Sequence, residues 1–231
     1  LEKYISGIIM FDETIHQNTI NSNIPFPKYL HEKGILTGIK VDTGAKKLAG
    51  SINEKVTEGL DNLRERIQEY RNLGASFAKW RAVISIDSKN YIPSRACVYA
   101  NAHALARYAS ICQENNIVPI VEPEIIMDGN HDIKKCQEVT KVVLNTVFDQ
   151  LNLLNVLLEG IVLKPNMIIC GQDCEKYCSD DPQKVADLTL KCLLECVPKE
   201  VPGIAFLSGG QSSDLATTHL NLMNKMPIKH P

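Results

Sequence analysis

At 231 residues, 44% hydrophobic and 23% charged, the chain has an ordinary globular composition, long enough for one large core or most of a barrel, and a single domain is the simplest count. A formal charge of −2 gives no whole-chain reason to bind nucleic acid or an anionic membrane, and leaves anion binding to local clusters of Lys and Arg. The longest apolar runs fall far short of a membrane span, no secretory signal is visible, and eight cysteines set mostly within helix and strand patterns read as reduced core residues of an intracellular protein.

Residues 4–11 read as a first strand, followed by Asp12, Glu13 and a polar loop through Pro25 and Pro27. Residues 34–41 form the second strand, which a Lys40–Asp42 pair closes. Leu60, Leu63, Ile67, Tyr70 and Leu73 recur at helical spacing, with Gly74 placed as the cap. Residues 77–86 are a third strand whose alternate positions share a face, so Lys79 and Arg81 point the same way and invite an anion. An alanine-rich helix over 96–112 follows, ended by Asn115 and Asn116; its His103 and Tyr108 read as packing or surface residues. Residues 117–124 are the fourth strand, with Glu122 and Glu124 on one face. Helical periodicity then runs over 133–151 through Cys136, Val139, Val143 and Val147.

The next strand occupies 158–164 and stops at Pro165, which cannot donate to a ladder, so Lys164 falls at its carboxyl end. A lysine amine leaning over an apolar wall is one way to obtain a nucleophile near neutral pH; a lysine paired with a neighbouring carboxylate for structure is the alternative. Beyond it, Cys170, Cys174 and Cys178 stand four residues apart, a spacing that matches no metal or cluster pattern, so no metal is expected. Asp181 and Pro182 open a helix, and residues 203–212 carry a sixth strand into Ser208, Gly209 and Gly210. There the backbone N–H groups before a helix could converge on a phosphate, or simply turn the chain.

From Lys40 to Lys79, Glu122, Lys164 and Ser208 the steps are 39, 43, 42 and 44 residues, one strand–helix unit each time. A repeated unit with a polar residue at each strand end is the pattern of a (β/α) barrel, whose chemistry collects at the carboxyl ends of its strands.

With these stretches assembled, the chain resembles class I fructose-bisphosphate aldolase, the metal-independent Schiff-base enzyme of glycolysis and gluconeogenesis. The resemblance rests on Gly38-Ile-Lys-Val-Asp42, Gly59-Leu-Asp61, Phe77-Ala-Lys-Trp-Arg81, Ala106-Arg-Tyr-Ala-Ser-Ile-Cys-Gln113, Val118-Pro-Ile-Val-Glu-Pro-Glu124, Leu158-Glu-Gly160, Leu163-Lys-Pro-Asn-Met167 and Phe206-Leu-Ser-Gly-Gly-Gln-Ser212, in order along the whole chain. It implies a TIM (β/α)8 barrel, of which residues 1–231 carry six central strands as one domain truncated at both ends relative to the family. It implies that Lys164 forms an imine with the substrate ketone, that Glu122 is the acid/base, and that Lys79 is the cation keeping Lys164 reactive. Lys40, Arg81 and Glu124 would line the same pocket, and Ser208, Gly209 and Gly210 would cradle a substrate phosphate.

Fructose 1,6-bisphosphate, or dihydroxyacetone phosphate with glyceraldehyde 3-phosphate in reverse, is the implied substrate. The reaction needs no cofactor, and the implied setting is a cytoplasmic homo-oligomer, the family tetramer. The family's first strand with its catalytic aspartate, and its last with a phosphate-binding arginine, are expected outside residues 1–231. The competing expectation is a catalytically idle aldolase-like protein or fragment that binds sugar phosphates or a protein partner. Another Schiff-base barrel such as transaldolase would have to share all eight stretches by accident.

Overall fold

A computed structural model describes residues 2–175 and 181–227. Strand β1 (Gly7–Met10) leads through short helices α1 (Asp12–Ile15) and α2 (Phe26–Glu32) to β2 (Leu36–Lys40). An antiparallel hairpin, β3 (Gly44–Lys47) and β4 (Lys55–Glu58), then precedes α3 (Leu63–Leu73) and β5 (Phe77–Ile84). Helix α4 (Arg95–Glu114), β6 (Val118–Ile125), α5 (Ile133–Leu153), β7 (Val162–Leu163), α6 (Pro182–Cys196) and α7 (Ser213–Lys225) complete the described chain. The main sheet runs β1-β2-β5-β6-β7, with every pair parallel and the strands in chain order. Each crossover carries at least one helix, which is the build of a (β/α) barrel segment.

Alternation along β5 sorts its side chains between two layers. Ala78, Trp80, Ala82 and Ile84 are buried on the helix side, where Trp80 stacks on Tyr108 of α4 with ring centroids 5.6 Å apart. Burying two such aromatics removes a large apolar area from water, on the order of 2–3 kcal/mol each. Phe77, Lys79, Arg81 and Val83 occupy the other face. Phe77 determines its neighbour: a Cβ at Gly38, its register partner on β2, would lie 2.2 Å from the Phe77 ring, so only glycine lets that ring lie across β2.

The periodic helices form where their apolar stripes place them. Leu63, Ile67 and Tyr70 are buried on α3, Cys136, Val139, Val143 and Val147 on α5. Gly74 caps α3 at φ 107°, its N–H reaching the Tyr70 and Arg71 carbonyls. Helix α3 starts at Leu63 rather than Leu60, because Asn62 stands before it at φ 52° in the left-handed region.

Three expectations need correction. The run beginning at Leu158 is not a strand until Val162: Leu158–Gly160 is a 3-10 turn. The Gln113 side chain replaces the sheet ladder there, donating to Leu157 O at 2.7 Å and accepting from Leu157 N at 2.9 Å. Of the six strands, five belong to the sheet. The sixth position, around Ile204, joins by one parallel bridge to Leu163 and by hydrogen bonds that include Ala205 N to Leu163 O at 2.9 Å and Leu207 N to Pro165 O at 3.3 Å. Pro165 and Pro202 supply no donors, so a regular ladder does not extend.

Finally, Cys170 is disulfide-bonded rather than reduced, whereas Cys97, Cys112, Cys136, Cys174, Cys192 and Cys196 are free thiols; Cys178 lies outside the described residues. Most of the free thiols are fixed on buried helix faces, while Cys170 sits in the irregular segment after β7. Burial pushes the Cys97 and Cys192 thiols up to about 12 and that of Cys136 up to about 11, which keeps them protonated and inert.

Candidate active site

The polar side chains of the sheet meet where Lys40 ends β2 and Lys164 follows β7, beside Lys79 and Arg81 within β5 and Glu122 and Glu124 within β6. The centre is Glu122, whose side chain is 3% exposed. Lys164 Nζ donates to Glu122 Oε1 at 2.7 Å, and Lys79 Nζ lies 3.1 Å from Glu122 Oε2 as an ion-pair contact rather than an aligned hydrogen bond. Both lysines are mostly covered, Lys79 at 13% and Lys164 at 24% exposure. Lys164 leans on a carboxylate and not on an apolar wall alone, a pairing that serves a structural lysine and a nucleophile with a base in reach alike. A buried carboxylate held by two cations is expected, since an unpaired one would be costly.

Around this triplet the pairing continues. Arg81 donates through Nε to Glu124 Oε2, and this hydrogen bond raises the Arg81 guanidinium above its ordinary range in spite of partial burial. Lys40 Nζ contacts Asp42 Oδ1 at 2.7 Å and donates to the Asp42 carbonyl at 2.8 Å. Lys40 also lines a cavity of about 530 Å³ with Asp12, Asp42, Glu58, Arg66 and Tyr70. Within it the Tyr70 hydroxyl donates to Asp12 at 2.7 Å, and burial first, then that bond, pushes its phenol up to about 12.

Strand register brings these residues together. Lys40 is opposite Lys79, and Arg81 is opposite Glu122. Lys79 and Arg81 nevertheless contact Glu122 and Glu124, each two residues further along β6 than its Cα partner. The shared diagonal is within reach of long side chains on neighbouring strands. Ser208 follows Leu207, which hydrogen-bonds to Pro165, the residue after Lys164, so the Ser208–Gly209–Gly210 turn stands at the same rim. Gly209 and Gly210 have φ of 60° and 78°.

The Lys40–Asp42 pair expected from the sequence is present, and Asp42 also accepts from Gly44 N at 3.1 Å. Sequence reasoning passed over one group that supports the site. Asn166, 3% exposed, accepts from Ile125 N at 3.0 Å and so ties the segment after Lys164 to the end of β6. The only available signal was an amide two residues past the Lys164 strand end. Among the described residues, no group of three or more His, Cys, Asp or Glu is arranged to hold a metal ion.

This parallel sheet with its rim of paired charges has close counterparts. The family model for class I fructose-bisphosphate aldolase matches residues 1–231. A probable class 1 fructose-bisphosphate aldolase of Xylella fastidiosa is 56% identical over 100% of this chain and 68% of its own length. Cytosolic fructose-bisphosphate aldolase 5 of Arabidopsis thaliana is 51% identical over 98% of this chain and 62% of its own. A solved Plasmodium falciparum fructose-bisphosphate aldolase, in complex with TRAP and a small-molecule inhibitor, superposes with a TM-score of 0.93 at 47% identity, covering 96% of this chain and 63% of that one. The fold is therefore that of a TIM barrel, present over part of the barrel. The chain belongs to the class I fructose-bisphosphate aldolase family and spans about two thirds of the length of these relatives.

Proposed function

We propose that this chain contributes the central part of a class I aldolase site that reversibly cleaves fructose 1,6-bisphosphate to dihydroxyacetone phosphate and glyceraldehyde 3-phosphate. The observation that carries the reading is the buried Glu122 carboxylate shared by Lys164 and Lys79. An ammonium cannot attack a ketone, and a carboxylate 2.7 Å away is within reach to take its proton. Lys164 then adds to the carbonyl carbon, and the protonated Glu122 returns the proton to the carbinolamine oxygen as water leaves. The iminium so formed accepts the electron pair of the breaking bond between the third and fourth carbons, while a base takes the proton of the fourth-carbon hydroxyl. Lys79 keeps positive charge beside Glu122 throughout.

Lys40 and Arg81 supply cationic surface on the same face, and Glu124 fixes Arg81. Ser208, Gly209 and Gly210 receive a substrate phosphate, whose remote binding holds the ketone near the amine. The same reading includes a cytoplasmic setting, supported by the relative named cytosolic, and the homo-oligomer that the family implies. The test is borohydride reduction in the presence of dihydroxyacetone phosphate followed by peptide mapping. A covalent adduct on Lys164 is expected, and an adduct on Lys40 or Lys79 instead would overturn the assignment.

A further inference from the structure

His219 of α7 is fully buried, and the proposed reaction does not use it. Its Nδ1 lies 2.6 Å from Gln211 Oε1, and Gln211 Nε2 donates to the Ser208 carbonyl at 2.7 Å. The amide orientation decides the tautomer. With Gln211 Nε2 spent on a carbonyl, its Oε1 must accept, so His219 carries its proton on Nδ1. Among the described residues His219 Nε2 is buried without a partner, and burial lowers the imidazole's proton affinity, so the ring is a neutral, one-directional donor.

The destination of this relay matters. The Ser208 carbonyl accepts twice, from Gln211 Nε2 and from Gln211 N at 3.2 Å, which closes a turn with Gly209 and Gly210 at its centre. Positive φ at both central positions requires glycine-like freedom. In a planar trans peptide the carbonyl and the following N–H point in opposite directions. Fixing the Ser208 carbonyl toward Gln211 therefore aims the Gly209 N–H away from it. Among the described residues, the Gly209 and Gly210 N–H groups donate to no protein acceptor.

We propose that His219 and Gln211 are positioning residues that set the Ser208–Gly209 peptide plane and thereby pre-orient the Gly209 N–H toward a phosphate. This rests on the reading of that turn as the phosphate cradle. It assigns to a buried histidine, which touches no substrate, the rigidity of a site whose donors are all backbone. A loop free to rotate that peptide would lose the alignment on which phosphate binding depends.

The experiment titrates the protein with inorganic phosphate and follows the Gly209 and Gly210 amides by NMR, in the parent and in His219→Leu, His219→Asn and Gln211→Ala. Losing one positioning hydrogen bond should weaken phosphate binding by about five- to tenfold in His219→Leu and Gln211→Ala. His219→Asn, whose amide nitrogen replaces Nδ1, should stay within about twofold of the parent, well short of that loss. Borohydride trapping of unphosphorylated dihydroxyacetone should be unchanged in all four proteins, because the Lys164 end of the site is intact. If phosphate leaves the parent's glycine amides unmoved, the cradle reading fails and this proposal with it. If those amides respond but His219→Leu and Gln211→Ala bind as the parent does, the cradle stands and the relay is refuted. Should His219→Leu not fold, Gln211→Ala, at a half-buried position, decides the outcome alone.

Discussion

Replacing Glu122 by glutamine is the sharpest perturbation of the proposed chemistry, because it keeps the shape of the side chain and removes its charge and its proton. The structure sets the size of the effect. Two ammonium groups lie 2.7 and 3.1 Å from the carboxylate oxygens, and at an effective dielectric of about 20 each contact is worth about 5–6 kcal/mol before desolvation is subtracted. Most of that gross attraction offsets the cost of burying the three charges. Removing one member of a buried pair typically costs about 3–5 kcal/mol, and the partial exposure of the lysines argues for the lower half of that range. A domain stable by about 5–15 kcal/mol stays folded under such a loss, so the rate effect can be read on a native population. General acid–base help of about 100- to 10,000-fold corresponds to about 3–5 kcal/mol of barrier. The assay measures the initial rate of dihydroxyacetone phosphate trapping on Lys164, with urea unfolding run alongside. A Glu122→Gln protein that is fully folded and traps ketone within about threefold of the parent, far short of that range, would remove Glu122 from the mechanism.

Two further predictions concern stability. Burial holds the His131 imidazole below its ordinary proton affinity despite Asp132 beside it, and both ring nitrogens lack partners among the described residues, so the unfolded chain takes up its proton first. Stability from this site is complete above about pH 6.5 and is lost as pH falls toward the depressed folded value. His131→Phe should therefore show a smaller drop in unfolding midpoint between neutral pH and pH 5 than the parent, and an equal drop would refute the account. Glu54 is 4% exposed and accepts from Ser94 N and Ser94 Oγ, both at 2.6 Å, and from Ser51 Oγ at 2.9 Å. Burial raises its proton affinity, but these bonds outweigh burial and leave it below the usual carboxylate range, so its contribution is present above that range and disappears only as pH falls through the lowered value. Because Glu54→Gln sets an NH2 group against a serine donor, it should cost about 1–3 kcal/mol in denaturant unfolding at neutral pH; a variant as stable as the parent would show that the cluster is not cooperative.

The helices were legible because their buried stripes are local: Leu63, Ile67 and Tyr70, or Val139, Val143 and Val147, declare a face by spacing alone. The β3–β4 hairpin declares nothing of the kind. Its strands are Gly44-Ala-Lys-Lys47 and Lys55-Val-Thr-Glu58, polar on both faces and held from a distance. Asn101 of α4 accepts from Thr57 N at 3.1 Å and donates to the Lys55 carbonyl at 2.9 Å, while Thr57 Oγ1 donates to the Arg81 carbonyl at 2.7 Å. These contacts span 24 to 46 residues of chain, and no window short enough for a periodicity argument contains both partners. The Leu158 run misled for a related reason, since an apolar composition does not tell whether a backbone will be satisfied by a ladder or by a side chain such as Gln113.

The site divides along the same line, between what parity fixes and what register fixes. Period-two alternation is enough to put Lys79 with Arg81 on one face and Glu122 with Glu124 on another, and repetition of the strand–helix unit brings the two faces to one rim. Parity cannot choose partners. With Arg81 opposite Glu122 in the ladder, direct pairing would join those two and leave Lys79 beside Ile120. The observed contacts instead move both cations two positions along β6, Lys79 to Glu122 and Arg81 to Glu124. That displacement frees the second oxygen of Glu122 for Lys164, whose backbone N–H is fixed to the Val121 carbonyl at 2.8 Å. Had the pairs formed straight across, Glu122 would have been committed to a guanidinium that does not give up its proton. The diagonal therefore selects which cation shares the carboxylate: it leaves Arg81 to Glu124 and brings to Glu122 the two amines, one of which has to lose a proton for the proposed chemistry to begin.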